Sequence, residues 1–79
     1  MDDNSINISL IKKLTDCGAI RLNRSISYQG FIINEFYLES EEMFINYCTN
    51  YAFRNKNQDK SKRKVALLLA TLIINYQLH

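Results

Sequence analysis

Six cations lie in the last third of the chain with a single anion among them, and this cluster is the strongest candidate for chemistry. They are Arg54, Lys56, Lys60, Lys62, Arg63 and Lys64. Residues 54–79 carry a net charge of +5, whereas residues 1–53 carry −3. Because clustered Lys and Arg side chains are the electrostatic footprint of phosphate recognition, the cluster predicts a nucleic-acid or other anion site.

The position of residues 62–64 strengthens this prediction, since they fall at the expected start of the last helix. The helix dipole disfavours cations there by about 0.3–1 kcal/mol each, and a bound anion would relieve the repulsion. The acids of the preceding helix, Glu41 and Glu42, are expected roughly 20 Å away at its far end. That distance exceeds the Debye length of about 8 Å, so the two charge patches should act separately. Arg21 and Arg24 are expected to assist the basic patch in binding an anion.

No set of residues predicts catalysis or metal binding. The only histidine is His79 at the chain end, and Glu39, Glu41 and Glu42 are better explained as acids that complement a helix start. Two cysteines at this separation fit no zinc spacing. We therefore expect a protein that is not an enzyme, with no cofactor. Two free buried thiols are expected, with a Cys17–Cys48 disulfide as the alternative.

The hydrophobic pattern predicts an α+β fold in one small domain, residues 1–79. A short helix from about Ser5 to Asp16 has a narrow apolar stripe, and Gly18 is suited to end it. An antiparallel β-hairpin follows, and two helices complete the chain.

The hairpin, "AIRLNRSISYQGFIINEFYL", turns at Gln29-Gly30, but its register is open. A two-residue loop pairs Tyr28 with Phe31 and Leu22 with Tyr37, and it places Arg24 opposite Glu35 across the strands. A three-residue loop pairs Ile26 with Ile32 and gives a cleaner apolar face. A slip of one residue exchanges the two faces of the second strand.

In either register the second strand, residues 31–38, carries large apolar side chains on both sides. We therefore expect both sides to be covered, by helices, a partner chain or both. Tyr28 and Phe31 flank the turn, and such aromatic residues are good anchors in protein interfaces. They are candidate interface residues.

The first C-terminal helix is predicted from a cap at Ser40 to about Phe53. Its apolar stripe follows helical spacing through Phe44, Tyr47, Cys48 and Tyr51. The last helix is predicted from Asp59 or Ser61 to about Tyr76.

This last helix is apolar all round, which is typical of a buried helix. Leu68, Leu69 and Leu72 are predicted to form a homodimer seam, with a central helix in a monomer as the alternative. Val65 to Leu78 spans only about 21 Å, short of a hydrocarbon core of about 30 Å, so no membrane partner is expected.

The stretch "LIKKLTDCGAIRLNRSISYQGFIINEFYL" resembles the second half of a bacterial winged-helix DNA-binding domain. It covers about a third of the chain. The resemblance implies that Lys12 and Lys13 lie on a helix that reads a DNA groove, with Arg21 and Arg24 on the wing.

Two functions fit these patterns. The first is a small non-catalytic regulator that binds nucleic acid or a nucleoprotein complex through the basic cluster. The alternative is an inhibitor or adaptor, of the kind phages and mobile elements encode, that binds a host protein through its apolar surface. The acidic, polar start "MDDNSINISLIKK" is unlike a signal peptide, so a cytoplasmic location is expected.

Overall fold

A computed structural model describes residues 6–54 and 59–76 and has an α+β fold, as predicted. A short helix is followed by a small antiparallel sheet, a 3₁₀ helix and two longer helices. In chain order these are α1 (Ile8–Asp16), β1 (Ile20–Arg21), β2 (Ser25–Tyr28), β3 (Phe31–Asn34), the 3₁₀ helix Glu35–Leu38, α2 (Glu41–Arg54) and α3 (Lys60–Ile74).

Helix α1 starts and stops at local signals in the sequence. Asn7 is the N-cap, and its side-chain oxygen accepts a hydrogen bond from the Leu10 N–H at 3.1 Å. Gly18 follows the helix with φ +108°, a left-handed conformation that glycine adopts without a steric penalty. The predicted apolar stripe of this helix consists of Leu10, Ile11 and Leu14, and all three are buried. The predicted start at Ser5 lies outside the described residues.

The hairpin between β2 and β3 has the two-residue loop. Gln29 and Gly30 both have positive φ values, 49° and 86°, which is the backbone of the type I′ turn that suits two-residue hairpins. Tyr28 therefore pairs with Phe31. Arg24 and Glu35, which this register places opposite each other, form an ion pair at 3.5 Å.

The two long strands expected from the sequence are shorter than predicted. The first is broken by a turn at residues 22–24, so that β1 folds back on β2 and the sheet has the order β1-β2-β3. The second ends at Asn34, whose side-chain oxygen accepts a hydrogen bond from the Phe36 N–H at 2.8 Å and caps the 3₁₀ helix. The predicted pairing of Leu22 with Tyr37 is therefore wrong.

Within residues 6–54 and 59–76, only one face of the sheet is covered. Its inner face carries four buried side chains, Ile26, Tyr28, Phe31 and Ile33. On the outer face, Ile20 and Ile32 lie on either side of Ser27 and are 63% and 58% exposed. The 3₁₀ helix brings Leu38 into the core and leaves Phe36 outside. Coverage of the second face by a partner stays a prediction.

Helices α2 and α3 form an antiparallel pair that packs on the sheet. Ser40 caps α2 as predicted, and its hydroxyl oxygen accepts from the Met43 N–H at 3.1 Å. Asp59 caps α3 in the same way, accepting from the Ser61 N–H at 2.8 Å. The predicted stripe of α2 faces the core.

Helix α3 is buried on one side and exposed on the other. Its buried side chains are Val65, Ala66, Leu69, Ala70 and Ile73. The opposite side exposes Leu67, Leu68 and Ile74. Helix α3 is therefore buried where it faces the sheet and α2, as predicted. In residues 6–54 and 59–76, the alternative of a central helix covered all round by one chain does not hold. Coverage of the exposed side by a second copy stays a prediction.

Candidate nucleic-acid interface

A groove of about 310 Å³ lies where the end of α2 meets the first half of α3. Half of the side chains around it are apolar and half are cationic. They are Ala52, Phe53 and Leu67, and Lys60, Arg63 and Lys64. We call this concavity the basic groove. Its lining suits a ligand that has both an apolar surface and negative charge.

Arg63 joins the two helices at this groove. Its Nε–H donates to the carbonyl oxygen of Ala52 at 3.0 Å, close to the C-terminal end of α2. Cations are favourable at helix C-termini because the last carbonyl groups carry partial negative charge. Arg63 is half-buried. The sequence predicts that Arg63 contacts phosphate. In the structure, its hydrogen bond to Ala52 links the two helices that form the groove.

A second concavity, of about 420 Å³, lies on the neighbouring face of α3. It is bordered by the hairpin turn and the same helix, and we call it the turn groove. Its lining residues are Gln29, Ser61, Lys64, Val65 and Leu68. Lys64 borders both concavities, so one cation stands between two partly apolar hollows.

Three acidic side chains of the N-terminal half, Asp16, Glu35 and Glu41, are paired with cations of the same half. Lys13 Nζ and Glu41 Oε2 form an ion pair between α1 and the start of α2. Two further ion pairs lie in the N-terminal half, Lys12–Asp16 at 3.6 Å and Arg24–Glu35 at 3.5 Å.

The lysines of α3 are in the opposite situation. In residues 6–54 and 59–76, no acidic side chain forms an ion pair with Lys60, Lys62 or Lys64. All three side chains are exposed. Their charge is therefore open to an external anion.

The other predicted cations lie away from the grooves. Arg54 is exposed at the last position of α2 and lines neither concavity. Arg21 lies in β1, and Arg24 precedes β2 with its side chain beside Glu35. Lys56 lies outside the described residues.

Three of the five predicted interface residues belong to the core. Tyr28 and Phe31 are buried because the two-residue turn places both on the inner face of the sheet, where the Phe31 ring is 5.0 Å from that of Tyr51. Leu69 is also buried, on the packed side of α3. Their assignment to an interface is therefore corrected. Leu68 is exposed and Leu72 is half-buried.

The sequence patterns do not predict Phe53 as part of this site. It is 64% exposed and lines the basic groove at the end of α2. Its position is out of phase with the apolar stripe of α2, which is the signal that would have marked it as an outward-facing aromatic.

Neither cysteine forms a disulfide. Cys48 is buried, and burial raises the pKa of its thiol to about 12. Cys17 is half-buried. Within the described part of the chain, no group of His, Cys, Asp and Glu side chains is arranged to hold a metal ion. None of the helices in residues 6–54 and 59–76 has the length and apolar character needed to cross a bilayer.

No protein-family model, curated protein or solved structure matches this chain. The resemblance to a winged-helix domain is therefore not extended by these comparisons. In the structure, Lys13 is held by Glu41 and lies 5.6 Å from the centre of the Tyr76 ring. A side chain engaged in this way is poorly placed to read a DNA groove.

Proposed function

We propose that this chain is a small non-catalytic regulator that binds nucleic acid through the start of α3. The observation that carries the proposal is the basic groove, where Lys60 and Lys64, which pair with no acidic side chain among the described residues, border a concavity that also contains the exposed ring of Phe53. Phosphate supplies the missing negative charge, and a base supplies an apolar surface for the ring.

The energetics of the helix start support an anionic ligand. Lys60, Lys62 and Lys64 lie in the first five residues of α3, near the positive end of its dipole. Asp59 offsets part of this charge as the N-cap. A phosphate at this end would interact favourably with both the lysines and the dipole.

The test is a salt series of binding to a fluorescent single-stranded oligonucleotide of about 12 nucleotides. In the variant Lys60→Ala/Lys62→Ala/Lys64→Ala, three phosphate contacts are lost. The slope of log affinity against log salt should become shallower by about 2, and affinity near 0.15 M salt should fall about 50-fold.

The matched control removes the same charge from the N-terminal half: Lys12→Ala/Arg21→Ala/Arg24→Ala. Because these cations lie outside the start of α3, and none of them borders a groove as Lys60 and Lys64 do, the control should lose much less affinity. Equal losses from the two variants would mean that only net charge matters, and the proposed site would be rejected.

A second candidate function, a protein-binding inhibitor or adaptor, is favoured by the open apolar face of the sheet. Ile20 and Ile32 are exposed side by side across Ser27. A pull-down from nuclease-treated lysate tests this function. A specific partner that is retained without nucleic acid and lost with Ile32→Glu would support it over nucleic-acid binding.

A homodimer along α3 also stays a proposal, supported by the exposed leucine Leu68 and by Ile74. Light scattering over a concentration series should then give the mass of two chains, and Ile74→Glu should reduce it to one. The mass of one chain for the unmodified protein at every concentration would contradict the dimer.

A further inference from the structure

The basic groove and the turn groove form a composite surface on two neighbouring faces of one helix. Leu67 lines the first and Leu68 the second, and Lys64 borders both. Their volumes, about 310 and 420 Å³, fall in the lower range of small-molecule sites. The surface therefore has two partly apolar hollows with one cation between them.

We infer that the ligand is single-stranded nucleic acid, with one base in each hollow and the intervening phosphate at Lys64. This inference rests on the proposed function and names the class of nucleic acid. The alternation of hollow, cation and hollow corresponds to the alternation of base, phosphate and base along an unpaired strand.

A duplex fits this surface less well. Its bases are stacked inside the helix, and the protein meets mainly phosphate, sugar and base edges. Apolar residues such as Phe53 and Leu67 would then gain no stacked base. An unpaired strand exposes the faces of its bases, which stack on aromatic rings with little dependence on sequence.

Polar groups in the turn groove add to this preference. Gln29 and Ser61 line it together with Val65 and Leu68. An amide and a hydroxyl can each donate and accept hydrogen bonds, which suits the edge of a base that is no longer paired. An acidic peptide with apolar side chains offers the charge and the apolar surface, but it has no flat ring repeated on both sides of each anion.

The experiment compares four fluorescent probes with the full chain at one low salt concentration. They are oligothymidylate of about 12 nucleotides, an abasic phosphodiester strand of the same length, a duplex of the same length, and polyglutamate of similar charge. We expect oligothymidylate to bind more tightly than the other three.

Phe53→Ala should lower affinity for oligothymidylate about 5- to 150-fold and leave the abasic strand unchanged. Phe53→Tyr keeps a ring and should retain most of the affinity. The matched control is Phe36→Ala, since Phe36 is 62% exposed but lines neither groove. It should have no effect on any probe. Circular dichroism of each variant establishes that it is folded.

The outcomes separate the inference from the proposed function. Equal affinity for the duplex or the abasic strand, or no effect of Phe53→Ala, would overturn the inference of a single strand. The proposed function would survive this result if the lysine variant still lost binding. If no nucleic-acid probe bound, with or without binding of polyglutamate, both would be rejected.

Discussion

The helices α2 and α3 begin with opposite charge, and the two starts are used differently. At the start of α2, Glu41 and Glu42 lie where the helix dipole favours anions, and Glu41 is paired with Lys13 of α1. This charge contributes to folding, because it joins two elements of the same chain.

The start of α3 carries cations where the dipole disfavours them. Only Arg63 has a clear structural task there, since it donates to the end of α2. The exposed lysines around it have no acidic partner in the part of the chain that the structure describes. The comparison suggests that charge satisfied inside the fold serves stability, whereas charge left open is available to a ligand.

The largest change in stability is expected in the hydrophobic core against which both helices pack. Leu69 is completely buried between α3 and the rest of the core, so Leu69→Ala should lower the free energy of unfolding by about 2–5 kcal/mol. Leu68 is 43% exposed on the other side of the same helix, and Leu68→Ala should cost less than about 1 kcal/mol. Urea unfolding measures both. Similar losses would mean that a second chain covers the outer side of α3.

The next effect concerns alkaline pH and the packed centre of the helix pair. The folded Cys48 thiol keeps its proton up to about pH 12, whereas an unfolded thiol has a pKa near 9.0. Between these values the unfolded state binds fewer protons, so stability should fall by about 1 kcal/mol per pH unit as pH rises. Below pH 9 this contribution is constant. Cys48→Ala should give a shallower fall in unfolding free energy between pH 9 and 10. Parallel curves would show that other groups control alkaline unfolding.

Replacing Arg63 should lower the stability of the fold, whereas replacing a neighbouring lysine should not. Arg63→Lys keeps the charge but removes the planar Nε–H that reaches the Ala52 carbonyl oxygen, and we expect a loss of about 1 kcal/mol. For a domain of this size that corresponds to a fall of about 4–8 °C in Tm. Lys62→Ala, as the control, should leave Tm unchanged or raise it slightly. A larger loss from Lys62→Ala would contradict the assignment of roles.

The smallest effect is expected at the start of α2. Glu41→Gln breaks a partly exposed ion pair with Lys13 and should cost about 0.2–1 kcal/mol, less at high salt. Glu42→Gln is the control, since it removes an exposed acid from the same helix turn. Thermal unfolding at low and high salt measures both. If Glu42→Gln costs more, the ion pair is not what distinguishes this helix start.

Local signals in the sequence predicted much of the fold. The cap at Ser40, the start of α3 near Asp59, the stop at Gly18 and the stripe of α2 depend on residues a few positions apart, and the structure has each of them. The hairpin register was narrowed to two choices. The turn conformation at Gln29 decided between them.

Features that depend on distant contacts were harder to predict. The break after β1 and the 3₁₀ helix after β3 shorten both strands, and they leave Leu22 and Phe36 exposed. The basic cluster could be read from composition. The position of Phe53 beside these cations could not be read from composition, because it depends on how α3 folds back along α2.

The central proposal is most directly tested by mapping the binding surface with NMR. Amide shifts of the labelled chain would be followed while unlabelled oligothymidylate is added. We predict that the shifts concentrate at residues 52–54, 60–68 and 28–30, with the start of α2 and the outer face of the sheet unchanged. Shifts concentrated around Ile20 and Ile32, or shifts spread evenly over the exposed cations of both halves, would contradict it.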